Sequence, residues 1–363
     1  MNEERRQLIK ELLNIIGDYN MSQGLTMDIE HVNKWIKQFD KELRNTILRE
    51  LIYIFKKTYL SRNDVKEYIK GILTSKSIFG DCIQDNIRNT TFLNIQKEGN
   101  SQNDLLEIVA EVLLEEYNID IDECGSDSRY FYIDDCIFTG NKYRHTIEDW
   151  VNENSIKSGA ELIVYHIAVY KQGEDYADAR VRKLLEKQNI KLLAWRHLIY
   201  NNYKNNKFNN PIDALYPKEI QDKNVQAYIQ DRLEKSDYAE DTKYFRDFDL
   251  EKEKLCSSQE ARECLETEFL KVGANLVMSA NQYHDSVRPM GFQKLESIGF
   301  GSMFVTYRNI SNNCPLALWY GDVTKGDYTP LSKWYPLFPR VTYTTNNDDI
   351  EVDFCELAQA FFC

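Results

Sequence analysis

Asp134 and Asp135 stand side by side directly after the apolar and aromatic run Tyr130-Phe131-Tyr132-Ile133. Cys136-Ile137-Phe138 then separates them from Thr139-Gly140-Asn141-Lys142. Carboxylates accept hydrogen bonds from vicinal hydroxyls such as those of a ribose. They also attract Mg²⁺, directly or through its waters. The second group suits an anion: backbone N–H donors, a threonine hydroxyl, a lysine and the start of a helix all favour phosphate. Sugar-hydroxyl acceptors beside a phosphate cradle point to a ribose 5-phosphate. Adjacent residues on a strand face opposite ways, so a shared ligand requires both acids to lie at the strand's end, where each can turn toward it. The competing reading is a capped turn, because Asp and Thr-Gly are common turn residues.

The elements that must hold these residues follow from their periodicity. A strand over 130–133 is expected to end at the two acids, with a loop running to Arg144 and a helix from near Thr146 through Ile147, Trp150 and Val151. Upstream lie a short strand over 91–95, a polar stretch over 96–103 and a helix over 104–117. Downstream come the apolar strand 161–169, a helix over 175–188 and a strand over 190–195. Alternating strands and helices predict an α/β core with a parallel sheet. In such sheets ligands bind beyond the carboxyl ends of the strands.

On these residues the chain resembles the type I phosphoribosyltransferases. That family's motif for binding 5-phosphoribosyl 1-pyrophosphate (PRPP) has an apolar strand, two acids, two mostly apolar residues, then a small or acidic residue before Thr-Gly. The matching stretch here is Tyr132 to Gly140. The resemblance implies that Asp134 and Asp135 act on the ribose as catalytic-site acids. It also implies that Thr139, Gly140, Asn141 and Lys142 bind the 5-phosphate. Lys97, Gly99, Asn100 and Ser101 fall where the family places its pyrophosphate loop, with Mg²⁺ bound alongside. Phe138 stands where purine-salvage members carry an acid, and Lys142 where a hydroxyl residue is usual. The missing acid at Phe138 argues against ordinary purine salvage.

The implied architecture is a helical module over 1–80, a phosphoribosyltransferase-type core over 81–197, and a mixed helical and strand region over 198–363 forming a hood. In the first module, Leu8, Leu12, Leu13 and Ile16 share a helical face, as do Val32, Trp35 and Ile36. It shows no polar constellation suited to chemistry and is expected to be structural or to dock a regulatory protein. The stretches 286–292, 301–309 and 312–319 resemble divergent phosphoribosyltransferase-like effectors of bacterial conflict and anti-phage systems. The activity expected from both resemblances is transfer at ribose C1 of PRPP or a nucleotide. The alternative is a non-catalytic nucleotide or PRPP sensor.

Net charge and cysteine usage narrow the classes. A formal charge of −13 disfavours general nucleic-acid binding. The eight cysteines are scattered without a C-x-x-C pair, which argues against a zinc site and for reduced thiols. No apolar run reaches the roughly 20 residues of a bilayer span, and the charged start lacks a signal-peptide pattern. A cytoplasmic location is expected. His284-Asp285 lacks a nucleophile context, Cys136 is expected to pack, and His145 to sit solvated in a first helical turn. Arg288, Arg308 and Asn309 are expected to pair or cap at the surface rather than cover a nucleotide.

Overall fold

The computed structural model describes residues 1–21, 24–97, 101–204, 211–280, 283–321 and 333–340. The chain divides into two compact units. One comprises 1–62 with 204–363, and the other is the continuous stretch 63–203.

The first unit opens with α1 (Glu3–Ile16), whose Asn2 side chain accepts from the Arg5 amide. In α2 (Ile29–Ile36), Asp28 caps the His31 amide and Val32, Trp35 and Ile36 are buried. These caps satisfy donors that the first helical turn would leave orphaned. Helix α3 (Arg44–Thr58) and the two-residue strand β1 (Tyr59–Leu60) complete the N-terminal segment.

The second unit begins with α4 (Arg62–Leu73), α5 (Lys76–Phe79) and α6 (Ile83–Arg88). Then come β2 (Thr91–Phe92), α7 (Ser101–Tyr117), β3 (Arg129–Ile137), α8 (Asn141–Glu153), β4 (Glu161–Tyr170), α9 (Lys171–Lys187) and β5 (Lys191–Tyr200). The four strands form one parallel sheet in the order β2-β3-β4-β5. The expected α/β fold with a parallel sheet is what the chain adopts. Nine of the ten residues of β4 are buried, which explains an apolar run interrupted only by His166: a central parallel strand is covered on both faces. One face carries Tyr132, Leu162 and Val164, packed with Tyr143, Ile147 and Trp150 of α8 and with Ala177, Val181 and Leu185 of α9. On the other, Phe131 meets Phe79 and Phe92. Strand β5 is paired only to β4 among the described strands, and Lys191 and Arg196 on it bridge to Glu161 and Glu174.

The chain then returns to the first unit through α10 (Lys223–Lys235), α11 (Gln259–Met278), β6 (Val305–Thr306) and α12 (Leu316–Trp319). β1 pairs in parallel with β6 across a long sequence separation. Trp35 Nε1 donates to the Ala317 carbonyl at 2.8 Å, and His31 Nε2 lies 2.7 Å from the Leu337 carbonyl. Glu50 holds the Ser257 hydroxyl. Such contacts make the N-terminal helices part of a unit with the C-terminal third.

The division at 62/63 and 203/204 differs from the boundaries expected at 80 and 197. The reason lies in α4: Lys66 bridges to Glu111 and Glu115, and Lys70 to Glu116, all on α7. Within the expected mixed C-terminal region, Leu316–Trp319 forms the short helix α12. The cap of α11 is Ser258, whose hydroxyl accepts from the Ala261 amide.

Candidate functional site

Strand β3 does not stop at Ile133. It continues to Ile137, with Asp134 opposite His166, Cys136 opposite Ala168 and Ile137 opposite Val169 on β4. The two acids therefore lie inside the strand and not in a loop after it. Strand alternation sends their side chains to opposite faces, and their surroundings differ accordingly.

Asp134 is 4% exposed. Its Oδ1 accepts from the Asp135 amide at 2.9 Å and lies 3.0 Å from the Ser101 hydroxyl. Its Oδ2 accepts from the Tyr132 hydroxyl at 3.3 Å. Burial pushes this carboxyl up. The Lys142 ammonium, His166, the Asp135 amide and Ser101 together outweigh burial and hold it below the usual carboxylate range. Asp135 is half-buried, and its Oδ1 accepts from the Cys136 amide.

His166 stands across from Asp134 and is also buried. Burial pushes its imidazole down to about 4, against the pull of the Asp134 charge, so the ring is neutral near pH 7. Its Nε2 finds no hydrogen-bond partner, nor does the buried Tyr143 hydroxyl. The two rings meet edge to face with centroids 4.7 Å apart.

The turn between β3 and α8, expected to hold the 5-phosphate, is a tight one. Gly140 has φ +81° and precedes α8, a conformation that a Cβ would strain. Helix α8 starts at Asn141, earlier than the expected Thr146, so Asn141 and Lys142 form its first turn. No acid occupies that turn, which leaves the positive end of the helix open to an anion. Lys142 is exposed there and Thr139 half-buried. The turn is pressed against α9. A Cβ on Gly173 would come within 1.9 Å of the Phe138 carbonyl oxygen, and one on Gly140 within 2.3 Å of the Gly173 oxygen. The Phe138 ring stacks on Tyr170 with centroids 5.7 Å apart.

The upstream loop is clasped at its base. Gln102 Oε1 accepts from the amides of Ile95 and Gln96 at 2.6 and 2.9 Å. Gln96 Oε1 accepts from the Gln102 amide at 3.2 Å and lies 2.8 Å from the Ser101 hydroxyl. Gln102 Nε2 donates to the Ile133 carbonyl at 3.2 Å, tying the clasp to β3. Of the expected pyrophosphate-loop residues, Gly99 and Asn100 lie outside the described residues. Ser101 turns its hydroxyl inward. Lys97 bridges to Asp149 and Glu153 on α8.

Three contributors escape a reading of spacing alone: Gly173, His166 and the glutamine pair. Two carried a signal. His166 is an imidazole set within the otherwise apolar run 162–169, and Gly173 is a helix-disfavouring residue in a first turn.

Elsewhere, the expected minor roles hold few surprises. Ser286 donates its amide to His284 Nδ1, and Asp285 pairs with Arg232, so the adjacent pair forms no dyad. Arg288 is buried against Glu296, where surface pairing was expected. His145 lies 3.3 Å from Glu148. Among the described residues, no group of three His, Cys, Asp or Glu side chains is arranged to hold a metal ion. No described helix is long and apolar enough to cross a membrane.

A family model, PRTase-CE, matches residues 32–340, well over half of the chain. No curated protein and no solved structure matches.

Proposed function

Because the chain belongs to the PRTase-CE family, a phosphoribosyltransferase-like family, we propose that its 63–203 unit binds PRPP or a nucleotide and acts at ribose C1. The observation that carries this reading is the junction from β3 to α8. A left-handed glycine delivers the chain into a helix whose first turn has exposed Lys142 and no acid. A 5-phosphate is suited to that helix end, with Thr139, Gly140, Asn141 and Lys142 around it. Asp135, half-buried on the adjoining strand, is the acid this reading assigns to the sugar.

Mg²⁺ fits this arrangement as a companion of the ligand. It commonly keeps most of its waters and takes one or two carboxylates plus substrate phosphates, and Asp135 can supply one. When bound, it would neutralise charge on departing pyrophosphate. The chain's own part is to fix the phosphate at α8 and orient the sugar, so that C1 faces its nucleophile or leaving group.

The finer reading is a nucleotide-modifying effector in anti-phage defence, restrained by a protein docked on the N-terminal helices. It draws on the likeness of 286–292, 301–309 and 312–319 to such effectors. A second reading, a sensor without turnover, is favoured by Phe138, which places an apolar ring stacked on Tyr170 where salvage enzymes carry an acid.

One experiment separates these. The protein is incubated with PRPP, Mg²⁺ and mixed bases, or with nucleotides, while pyrophosphate or free base is followed and binding is measured by calorimetry. Turnover supports the enzyme. Binding without turnover supports the sensor. Absence of binding to PRPP and to every nucleotide overturns both.

A further inference from the structure

We propose that Asp134 is a positioning residue: through Ser101 it pins the start of α7, and with it the clasped residues 95 and 96, to β3, and it does not contact the sugar. The inference rests on the phosphoribosyl reading for its ligand, while its geometry stands independently of it.

The Asp134 carboxylate is already occupied. Its three donors come from Ser101, Asp135 and Tyr132, and 4% of the residue reaches solvent. Three of the roughly four acceptor sites of the carboxylate are taken, and a ribose hydroxyl could reach the remaining one only by opening the packing around Tyr132, itself fully buried. Ser101 is the first residue of α7, immediately after the loop expected to face pyrophosphate. Its hydroxyl has one proton to divide between Gln96 Oε1 and Asp134 Oδ1. The same clasp joins Gln96 to Gln102 and Gln102 to the Ile133 carbonyl. Asp134 and Ile133 thus anchor both the loop's end and the start of α7. The neighbouring Asp135 points to the other face and is left as the sugar-facing acid.

This division separates two ligands that differ only in pyrophosphate. Calorimetry with Mg²⁺ would compare PRPP with ribose 5-phosphate on wild type, Asp134→Asn, Ser101→Ala, Ser101→Thr and Asp135→Asn. A hydrogen bond to a charged group supports an effect of roughly tenfold. Asp134→Asn and Ser101→Ala are expected to weaken PRPP by that much and leave ribose 5-phosphate within about twofold. Ser101→Thr, which keeps the hydroxyl, restores PRPP binding. Asp135→Asn weakens both ligands. A purely structural role would lower both affinities together, so the selectivity for PRPP is the diagnostic reading. Equal loss of both ligands in Asp134→Asn, or unchanged PRPP binding in Ser101→Ala, overturns the proposal.

Should wild type bind neither ligand, PRPP is excluded as the ligand of that reading and hydrogen exchange judges the pin alone. The amides of Ile95, Gln96 and Gln102 are expected to exchange faster in Ser101→Ala and Asp134→Asn, and at the wild-type rate in Asp135→Asn. Unaltered exchange in Ser101→Ala overturns the pin. Ser101→Ala also carries the test if Asp134→Asn does not fold.

Discussion

His166 places an imidazole beside a buried carboxylate, and its protonation is coupled to folding. Its folded-state pKa is about 4, well below the ordinary histidine value of 6.5. Between those values the unfolded chain binds the proton more readily, so stability falls as pH drops from 6.5 toward 4. The difference corresponds to a contribution on the order of 3 kcal/mol. Asp134 acts in a separate window: its pKa is depressed, so its stabilising charge is lost only as pH falls below the usual carboxylate range. Chemical denaturation at a series of pH values should therefore show a shallower slope between pH 6.5 and 4 in His166→Phe than in wild type. Equal slopes would mean that the imidazole is not neutral in the fold. At this scale the motif was legible but its disposition was not. The residue types at 134–142 carry the family resemblance. Which acid is buried depends on where β3 stops, and periodicity could not show that pairing with β4 continues through Asp134 and Ile137.

Between elements, the tightest fit is α9 against the 138–140 turn. Gly173→Ala would drive a methyl into the Phe138 carbonyl, where backbone and not a flexible side chain must yield. Overpacking of this kind costs about 1–3 kcal/mol. Gly71, inside α4, has no atom within 4 Å of an added Cβ, and Gly71→Ala should stabilise by up to about 1 kcal/mol. Thermal melts of the two variants should move in opposite directions, and only Gly173→Ala should lose affinity for ribose 5-phosphate. A parallel shift in both would remove the special status of Gly173. Strands and helices of the 63–203 unit were well marked by their periodicity, since β4 is a nearly continuous apolar run and α8 and α9 each show a single buried stripe. The junctions were not. Helix α9 begins directly after Tyr170, where a linker to residue 175 was expected, because Lys171, Gln172 and Gly173 resemble loop residues in isolation.

For the molecule as a whole, one unit is continuous in sequence and the other is assembled from two distant segments. A fragment spanning 63–203 contains its sheet, the helices on it and their shared core, and should fold alone with a cooperative melt. A fragment spanning 1–62 should not, because it loses the β1–β6 pairing and the partners of Trp35, His31 and Glu50. Circular dichroism of the two fragments checks this, and a cooperatively folded 1–62 would contradict it. This arrangement was hidden from the sequence, because a helical pattern reports which face is buried and not which remote segment buries it.

The direct passage from β4 into α9 has one further implication. With no intervening residues, strand and helix cannot shift independently, and Gly173 and Gly140 hold the turn of 138–140 flush against that joined piece. The donors at the start of α8 are thus set in place when the chain folds. On the proposed reading, an arriving phosphate would meet a receptor already in shape, and little of its binding energy would be diverted into ordering the backbone that receives it.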